Sequence, residues 1–84
     1  MNSLRFDREL DARGLDSPMP VVEARKAVST MASGQVLKVT ATDNGSVQDF
    51  QGWTRTAKDL DLVAQATECN GSGCTLFIHF VHVK

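Results

Sequence analysis

The chain has 84 residues, of which 42% are hydrophobic and 23% are charged, a composition that is ordinary for a single small globular domain. Its formal net charge of −1 gives no electrostatic basis for direct nucleic-acid binding. No apolar run approaches the roughly 18 residues that span a membrane, and the N-terminus lacks the apolar segment of a signal peptide, so we expect one cytoplasmic domain over residues 1–84.

The first two predicted elements are a strand and a helix joined by a short turn. Residues 6–12 alternate largely apolar side chains with acidic ones, as expected for a strand with one wet face. Gly14 is predicted to adopt a positive φ in the turn. Ser17 is predicted to be the N-cap of a helix that begins at Pro18 and ends near Ala32. The side chain at residue 17 would then face unpaired N–H groups and the positive end of the helix dipole, which favour an anion.

Helical spacing predicts which face of this helix is buried. The apolar residues that fall on one side are Pro20, Val21, Ala24, Ala27, Val28 and Met31. Residues 35–41 then form a predicted strand, with Leu37, Val39 and Ala41 on one face.

A second helix and a β-hairpin complete the predicted fold. Residues 46–49 resemble a capping box that would start the second helix. The residues that repeat at helical spacing along it are Val47, Phe50, Trp53, Thr54, Ala57 and Leu60. Residues 62–68 and 75–83 are predicted as two strands joined by a loop over residues 70–73. The order βαβαββ, with helices apolar on one side only, predicts an α+β fold: a two-layer α/β sandwich with two helices on one face of a mixed four-stranded sheet.

The last strand is apolar on both faces. We expect Leu76, Ile78 and Phe80 to fill the core under the helices. This leaves Phe77, Val81 and Val83 on an uncovered sheet face, which is either partly exposed in a monomer or a surface for weak self-association.

The most specific motif lies in residues 10–20. It consists of Leu10, Asp11, Arg13, Gly14, Leu15, Pro18 and Pro20. This pattern resembles the TusA/SirA-like family of sulfur carrier proteins, and the resemblance continues more loosely to Trp53 and covers nearly the whole chain. It implies a protein that accepts sulfane sulfur on residue 17, as a persulfide or thiosulfonate, and passes it on in sulfur oxidation or tRNA thiolation. The implied partners are a sulfur-donor protein (a rhodanese, a cysteine desulfurase or a DsrE-like protein) and an acceptor protein.

This sequence has Ser17 where the family has its sulfur-carrying cysteine. An alcohol cannot act as the polarisable nucleophile and leaving group of a sulfur relay, so the chain as it stands is expected to be inactive in that step. The serine is either an engineered isosteric replacement or natural, and a natural serine would make the chain a non-catalytic interaction or regulatory module. The supporting residues of the loop and helix start are Arg13, Gly14, Asp16, Pro18 and Pro20.

Four side chains of the first helix lie outside its predicted buried face. They are Met19, Val22, Arg25 and Lys26. These side chains form either a solvated face or a patch that docks an acidic partner surface. The role of Arg13 is also open, since it either helps to hold an anionic group at residue 17 or pairs with Asp11 or Asp16.

The remaining reactive residues point to no other chemistry. His79 and His82 are far along the chain from Ser17, and no Gly-x-Ser-x-Gly motif is present, which argues against a serine hydrolase. Cys69 and Cys74 flank the hairpin loop, either as a cross-strand pair or as two reduced thiols. Their spacing relative to the histidines is not that of a zinc site, so we expect no metal and no cofactor.

Overall fold

The computed structural model describes residues 5–69 and 75–84, which form one mixed four-stranded sheet and two helices. The elements in chain order are β1 (Arg8–Ala12), α1 (Met19–Val28), β2 (Val36–Ala41), α2 (Ser46–Thr56), β3 (Leu60–Cys69) and β4 (Thr75–Val83). The strand order is β1-β2-β4-β3, with β1 and β2 parallel and the other neighbours antiparallel. The predicted βαβαββ order and mixed sheet are confirmed. Neither helix in the described ranges is long and apolar enough to cross a bilayer.

α1 is shorter at both ends than predicted. Its N-cap is Pro18, no side chain caps it, and the Ser17–Pro18 peptide bond is cis. The Met19 N–H donates to the Asp16 carbonyl at 2.8 Å, so residues 16–19 form a turn ahead of the helix. The prediction that Ser17 caps α1 is wrong, because the Ser17 hydroxyl makes its hydrogen bond outside this helix.

Two hydroxyl groups mark the C-terminal end of α1. Ser29 Oγ donates to the Lys26 carbonyl at 2.7 Å, and Thr30 Oγ1 donates to the Ala27 carbonyl at 2.9 Å. These bonds occupy carbonyls that a longer helix would use, and α1 ends at Val28, not near Ala32. The predicted buried face is nevertheless confirmed. Its members that are buried or packed against the core are Pro20, Val21, Ala24, Ala27, Val28 and Met31.

The core lies between the helices and one face of the sheet. Leu37, Val39 and Ala41 of β2 are fully buried, as predicted. The other buried members of this cluster are Ala12, Ala24, Ala27, Phe50, Leu60 and Val81. Leu60 belongs to β3, which begins two residues earlier than predicted, and not to the second helix.

β4 presents to the helices the face that was predicted to be uncovered. The register pairs Leu37 with Val81 and Val39 with His79, so both β4 residues share the helix-covered face of β2. The prediction that Phe77, Val81 and Val83 form an uncovered surface is therefore wrong. Alternation along β4 could not distinguish its two faces, because both are apolar.

The opposite sheet face carries Leu76, Ile78 and Phe80, which were predicted to fill the core. Phe6 packs against Phe80 there, with ring centroids 6.4 Å apart. Lys38 Nζ lies 5.0 Å from the centroid of the Phe6 ring. The chain segment before β1 thus covers part of this face, and Phe80 is only 8% exposed.

His79 is fully buried where α2 packs on the sheet. Its ring stacks on Phe50 with centroids 4.2 Å apart. Gln65 Nε2 donates to His79 Nδ1 at 3.0 Å and to the Val47 carbonyl at 3.1 Å, which fixes the amide orientation. The ring therefore carries its proton on Nε2, which donates to Ser46 Oγ at 2.9 Å. Burial lowers the pKa of His79 to about 4, so the ring is neutral at pH 7.

The serine of the predicted capping box is therefore inside α2. Gly45 is the N-cap, no side chain caps the helix, and Ser46 is fully buried against His79. The capping-box prediction is wrong because the Ser46 hydroxyl bonds to β4 instead of to its own helix. The predicted loop over residues 70–73 and Cys74 lie outside the described residues. Cys69 is exposed, and its register partner is Thr75.

The neutral buried ring of His79 predicts a stability that depends on pH. Its pKa is about 4 in the folded protein and near 6.5 when unfolded, so the unfolded chain binds the extra proton between these values. The free energy of unfolding is therefore expected to fall as the pH drops through this window. The free energy of unfolding should fall by roughly 2 kcal/mol less between pH 7 and about pH 4.5 in His79→Gln than in the parent protein, as measured by urea denaturation.

His82→Gln is the matched control, because His82 lies on the same strand but is only partly buried, with Nδ1 3.9 Å from Asp61 Oδ2. This variant should retain most of the pH dependence of the parent protein. Equal pH dependence in the parent protein and in His79→Gln would contradict the assignment of the loss to His79.

Candidate functional site

Residue 17 is exposed at the end of the β1–α1 turn and lies against the start of α2. The Ser17 backbone N–H donates to Asp43 Oδ2 at 2.6 Å, and the Ser17 hydroxyl donates to the Asp49 carboxylate. Asp43 lies in the β2–α2 turn, and Asp49 lies in the first turn of α2. Since β1 and β2 are parallel, both turns leave the sheet at the same edge, which brings these residues together.

The Asp43 carboxylate joins the two turns. Its second oxygen accepts the Gly45 N–H at 2.7 Å, so one side chain binds backbone groups of Ser17 and Gly45. The hydrogen bond from the Ser17 N–H, and then that from the Gly45 N–H, lower the pKa of Asp43 and favour its charged form. A third link comes from Gly14, whose N–H donates to Thr42 Oγ1 at 2.9 Å. Gly14 has the predicted positive φ, at 83°.

Gly45 allows the two turns to approach closely. A Cβ atom at this position would lie 3.1 Å from Asp43 Oδ1 and 3.3 Å from Ser17 Cβ. Both distances are shorter than ordinary van der Waals contact, so a methyl group here would require Asp43 or Ser17 to shift by a few tenths of an ångström. Residue 17 therefore lies directly against Gly45, the N-cap of α2.

The electrostatic surroundings of residue 17 differ from those predicted. The side chain does not face free N–H groups at the start of α1, because it precedes the N-cap and its hydroxyl donates to the Asp49 carboxylate. The first two N–H groups of α2, those of Ser46 and Val47, donate to turn carbonyls. Two carboxylates, those of Asp43 and Asp49, contact residue 17, so the site is acidic.

Arg13 pairs with Asp11, which was one of the two predicted roles. Arg13 Nε and Nη2 donate to the two Asp11 carboxylate oxygens, each at 2.9 Å. These bonds lower the pKa of Asp11 to about 2 and raise that of Arg13. The pair lies on the helix-free face of the sheet, with Glu9 and Lys38, and no hydrogen bond within the described residues joins Arg13 to residue 17.

The other predicted supporting residues hold the turn in place. The Asp16 carbonyl accepts the Met19 N–H, and Pro18 is the N-cap of α1. Pro20, the second helical residue, is fully buried and anchors the start of α1 in the core.

The four predicted partner-binding residues lie on the outer surface of α1 and are called here the α1 patch (Met19, Val22, Arg25 and Lys26). Met19 is 40% exposed, Arg25 and Lys26 are exposed, and Val22 is partly buried. Val22, Arg25 and Lys26 line a shallow depression together with Ser29. Lys26 Nζ lies 3.5 Å from Glu23 Oε2, so its charge is partly compensated, whereas no ion pair of Arg25 occurs in the described ranges.

Sequence reasoning missed Asp43, Gly45 and Asp49 as parts of the site. Neither Asp43 nor Gly45 is predicted from the sequence to be in the site, and Asp49 is included only as the last residue of the predicted capping box. The available signal was the parallel pairing of the first two strands, which places the turns after them side by side. The buried Ser46–His79 pair was missed as well, but it is inaccessible and therefore structural. Within residues 5–69 and 75–84, no group of three or more His, Cys, Asp or Glu side chains is arranged to hold a metal ion.

Comparison with known proteins agrees with the motif and the fold. The family model for sulfurtransferase TusA matches residues 8–78. The sulfur carrier protein TusA of Allochromatium vinosum is 54% identical over 50 residues, which cover 60% of this chain and 66% of that protein. The putative sulfur carrier protein YrkI of Bacillus subtilis is 42% identical over 65 residues, which cover 77% of this chain and 85% of that protein. The structure of a SirA-like protein from Desulfitobacterium hafniense has the same fold, with a TM-score of 0.61 at 21% identity, covering 93% of this chain and 100% of that one.

The contacts of Gly45 predict opposite effects for two glycine substitutions, one at the N-cap of α2 and one inside the helix. Gly45→Ala should lower the free energy of unfolding by about 1 kcal/mol, because the new methyl group meets Asp43 and Ser17. Gly52→Ala should raise it by about 1 kcal/mol, because a Cβ there meets no atom within 4 Å and alanine favours the helix. Urea denaturation of both variants measures the difference, and a Gly45→Ala protein as stable as Gly52→Ala would refute the close approach.

Proposed function

The chain belongs to the TusA family of sulfur carrier proteins, and on this premise we propose that residue 17 is its sulfur-transfer position, around which donor and acceptor proteins dock. With Ser17 in this position, the chain binds such partners without accepting sulfur itself. The observation that carries the proposal is the exposed side chain of residue 17, fixed between the β1–α1 and β2–α2 turns.

Sulfur acceptance requires a thiolate at residue 17. The thiolate attacks the outer sulfur of a donor persulfide, a new S–S bond forms, and the donor leaves as a thiolate when its own S–S bond breaks. A serine hydroxyl cannot complete this exchange, because its pKa is far too high and its oxygen does not form the required S–S bond.

The surroundings of Ser17 do not activate it for other nucleophilic chemistry. A carboxylate such as Asp49 is a weak base towards an alcohol, so the contact orients the hydroxyl and leaves it protonated. His79 cannot serve as the base, since it is fully buried and bonded to Ser46 and Gln65. These facts support a role in partner binding over hydrolysis.

The α1 patch is the proposed docking surface. It begins at Met19, two residues beyond residue 17, and combines exposed apolar and basic side chains. A partner with an apolar centre and acidic residues at its rim would complement it. Donor and acceptor would occupy this surface in turn, because both must reach residue 17.

Restoring a cysteine at residue 17 is expected to restore sulfur acceptance. In a Cys69→Ser, Cys74→Ser background, the Ser17→Cys protein should gain sulfur after incubation with inorganic polysulfide. Intact-mass spectrometry should show the added sulfur and its loss on treatment with a reductant. The matched protein that retains Ser17 should gain none. A folded Ser17→Cys protein that takes up no sulfur, or a Ser17 protein that does, would overturn the proposal.

Charge reversal in the α1 patch should slow loading by a protein donor only. In the same Ser17→Cys background, Arg25→Glu with Lys26→Glu should reduce the rate of sulfur transfer from a thiosulfate-loaded rhodanese by about tenfold at low salt. The loss should shrink as salt screens the charges, and loading by polysulfide should not change. Arg55→Glu with Lys58→Glu is the control, because it makes the same charge change at exposed positions at and just beyond the C-terminal end of α2. If both double substitutions slow sulfur transfer from the rhodanese equally, the α1 patch is not the docking surface.

A further inference from the structure

We propose that Asp49 controls the reactivity of the side chain at residue 17 and keeps a thiol at that position protonated in the free protein. The inference deepens the proposed function and rests on residue 17 being the sulfur-transfer position. It assigns to Asp49 a positioning and electrostatic role, because its carboxylate contacts the reacting side chain and would form no bond to sulfur.

The first argument is the contact itself. The Ser17 hydroxyl donates to the Asp49 carboxylate, so a thiol in the same place has an acceptor for its S–H group. Asp49 is held in place by its own backbone N–H, which donates to the Gly45 carbonyl at 3.1 Å. A hydrogen bond from the protonated thiol, together with the nearby negative charge, disfavours the thiolate.

The second argument is the set of charges around residue 17. The β2–α2 turn contributes Asp43, whose carboxylate accepts the residue 17 N–H, and the β1–α1 turn contributes the neighbouring Asp16. The Arg13 guanidinium is bound to Asp11 on the helix-free face of the sheet. The basic residues of α1, Arg25 and Lys26, lie in its last turn, about 9 Å or more along the helix axis from its first residue Met19, where salt weakens their effect on residue 17.

The third argument concerns the helix dipole of α2, which would oppose this effect. The N–H groups of Ser46, Val47 and Asp49 already donate to the carbonyls of Asp43, Asn44 and Gly45, so among the first four N–H groups of α2 only that of Gln48 has no backbone acceptor within the described residues. None of these three groups is free to bind a thiolate. A unit negative charge about 4 Å from the sulfur, in water-like surroundings, shifts the ionisation of the thiol by about fivefold towards its protonated form. The repulsion by Asp49 therefore decides that the pKa of the thiol rises.

The consequence is that sulfur acceptance depends on docking. In the free protein most of a residue 17 thiol stays protonated at neutral pH, which protects it from unspecific oxidation and alkylation. A donor persulfide protein that presents a basic side chain to Asp49 would release this constraint, and the thiol proton would pass to solvent as the thiolate forms. The Asp49 carboxylate would then take part both in sulfur acceptance and in partner recognition.

Alkylation kinetics test the proposal without any sulfur donor. In the Ser17→Cys, Cys69→Ser, Cys74→Ser protein, the rate of reaction with iodoacetamide is measured from about pH 6 to about pH 10. Asp49→Asn should lower the apparent pKa of the thiol and speed alkylation at pH 7 by about fivefold. Asp61→Asn is the matched control, because Asp61 pairs with Lys84 on the far edge strand β3 and its removal should leave the rate unchanged.

The direction of the change decides the outcome. An Asp49→Asn protein that keeps its thermal stability and reacts at the same rate as its parent, or more slowly, would overturn the role of Asp49. An equal acceleration by Asp61→Asn would overturn it too, since the effect would then be one of net charge. If Asp49→Asn speeds alkylation but the Ser17→Cys protein accepts no sulfur, the proposed function fails and the control of residue 17 by Asp49 stands.

Discussion

The site of this protein depends on one carboxylate that binds two backbone N–H groups from different turns. Asp43 accepts hydrogen bonds from the N–H groups of Ser17 and Gly45, and thereby fixes the β1–α1 turn against the start of α2. The parallel pairing of β1 and β2 makes this possible, because it places the ends of both strands at one edge of the sheet. Without a side chain at Gly45, residue 17 can lie on the N-cap of α2 and remain exposed.

The exposed surface around residue 17 has two electrostatic halves. Asp43 and Asp49 make the α2 side acidic, whereas Arg25 and Lys26 make the last turn of α1 basic. Under the proposed function, a partner that docks here would have to match both signs of charge in a fixed order, which gives orientation and selectivity more than binding strength.

Beneath this surface, the start of α2 is held by a buried polar network. Ser46 and Gln65 bind the two ring nitrogens of His79, and Phe50 stacks on the ring. Every buried side-chain nitrogen and oxygen in the described part of the chain has a hydrogen-bond partner, so the network fixes α2 without an unsatisfied group. The same helix carries Asp49, and the position of that carboxylate depends on this anchoring.

The sequence by itself determined the order of the elements, the family and the buried faces of α1 and β2. These features depend on local periodicity and on a short motif, which neighbouring residues express without help from the rest of the chain. The tertiary structure decided which face of β4 meets the helices and which groups Ser17 and Ser46 bind. Both serines have the local pattern of a helix cap, but a hydroxyl binds whichever partner the packing brings to it, and here those partners come from α2 and β4, more than 30 residues along the chain.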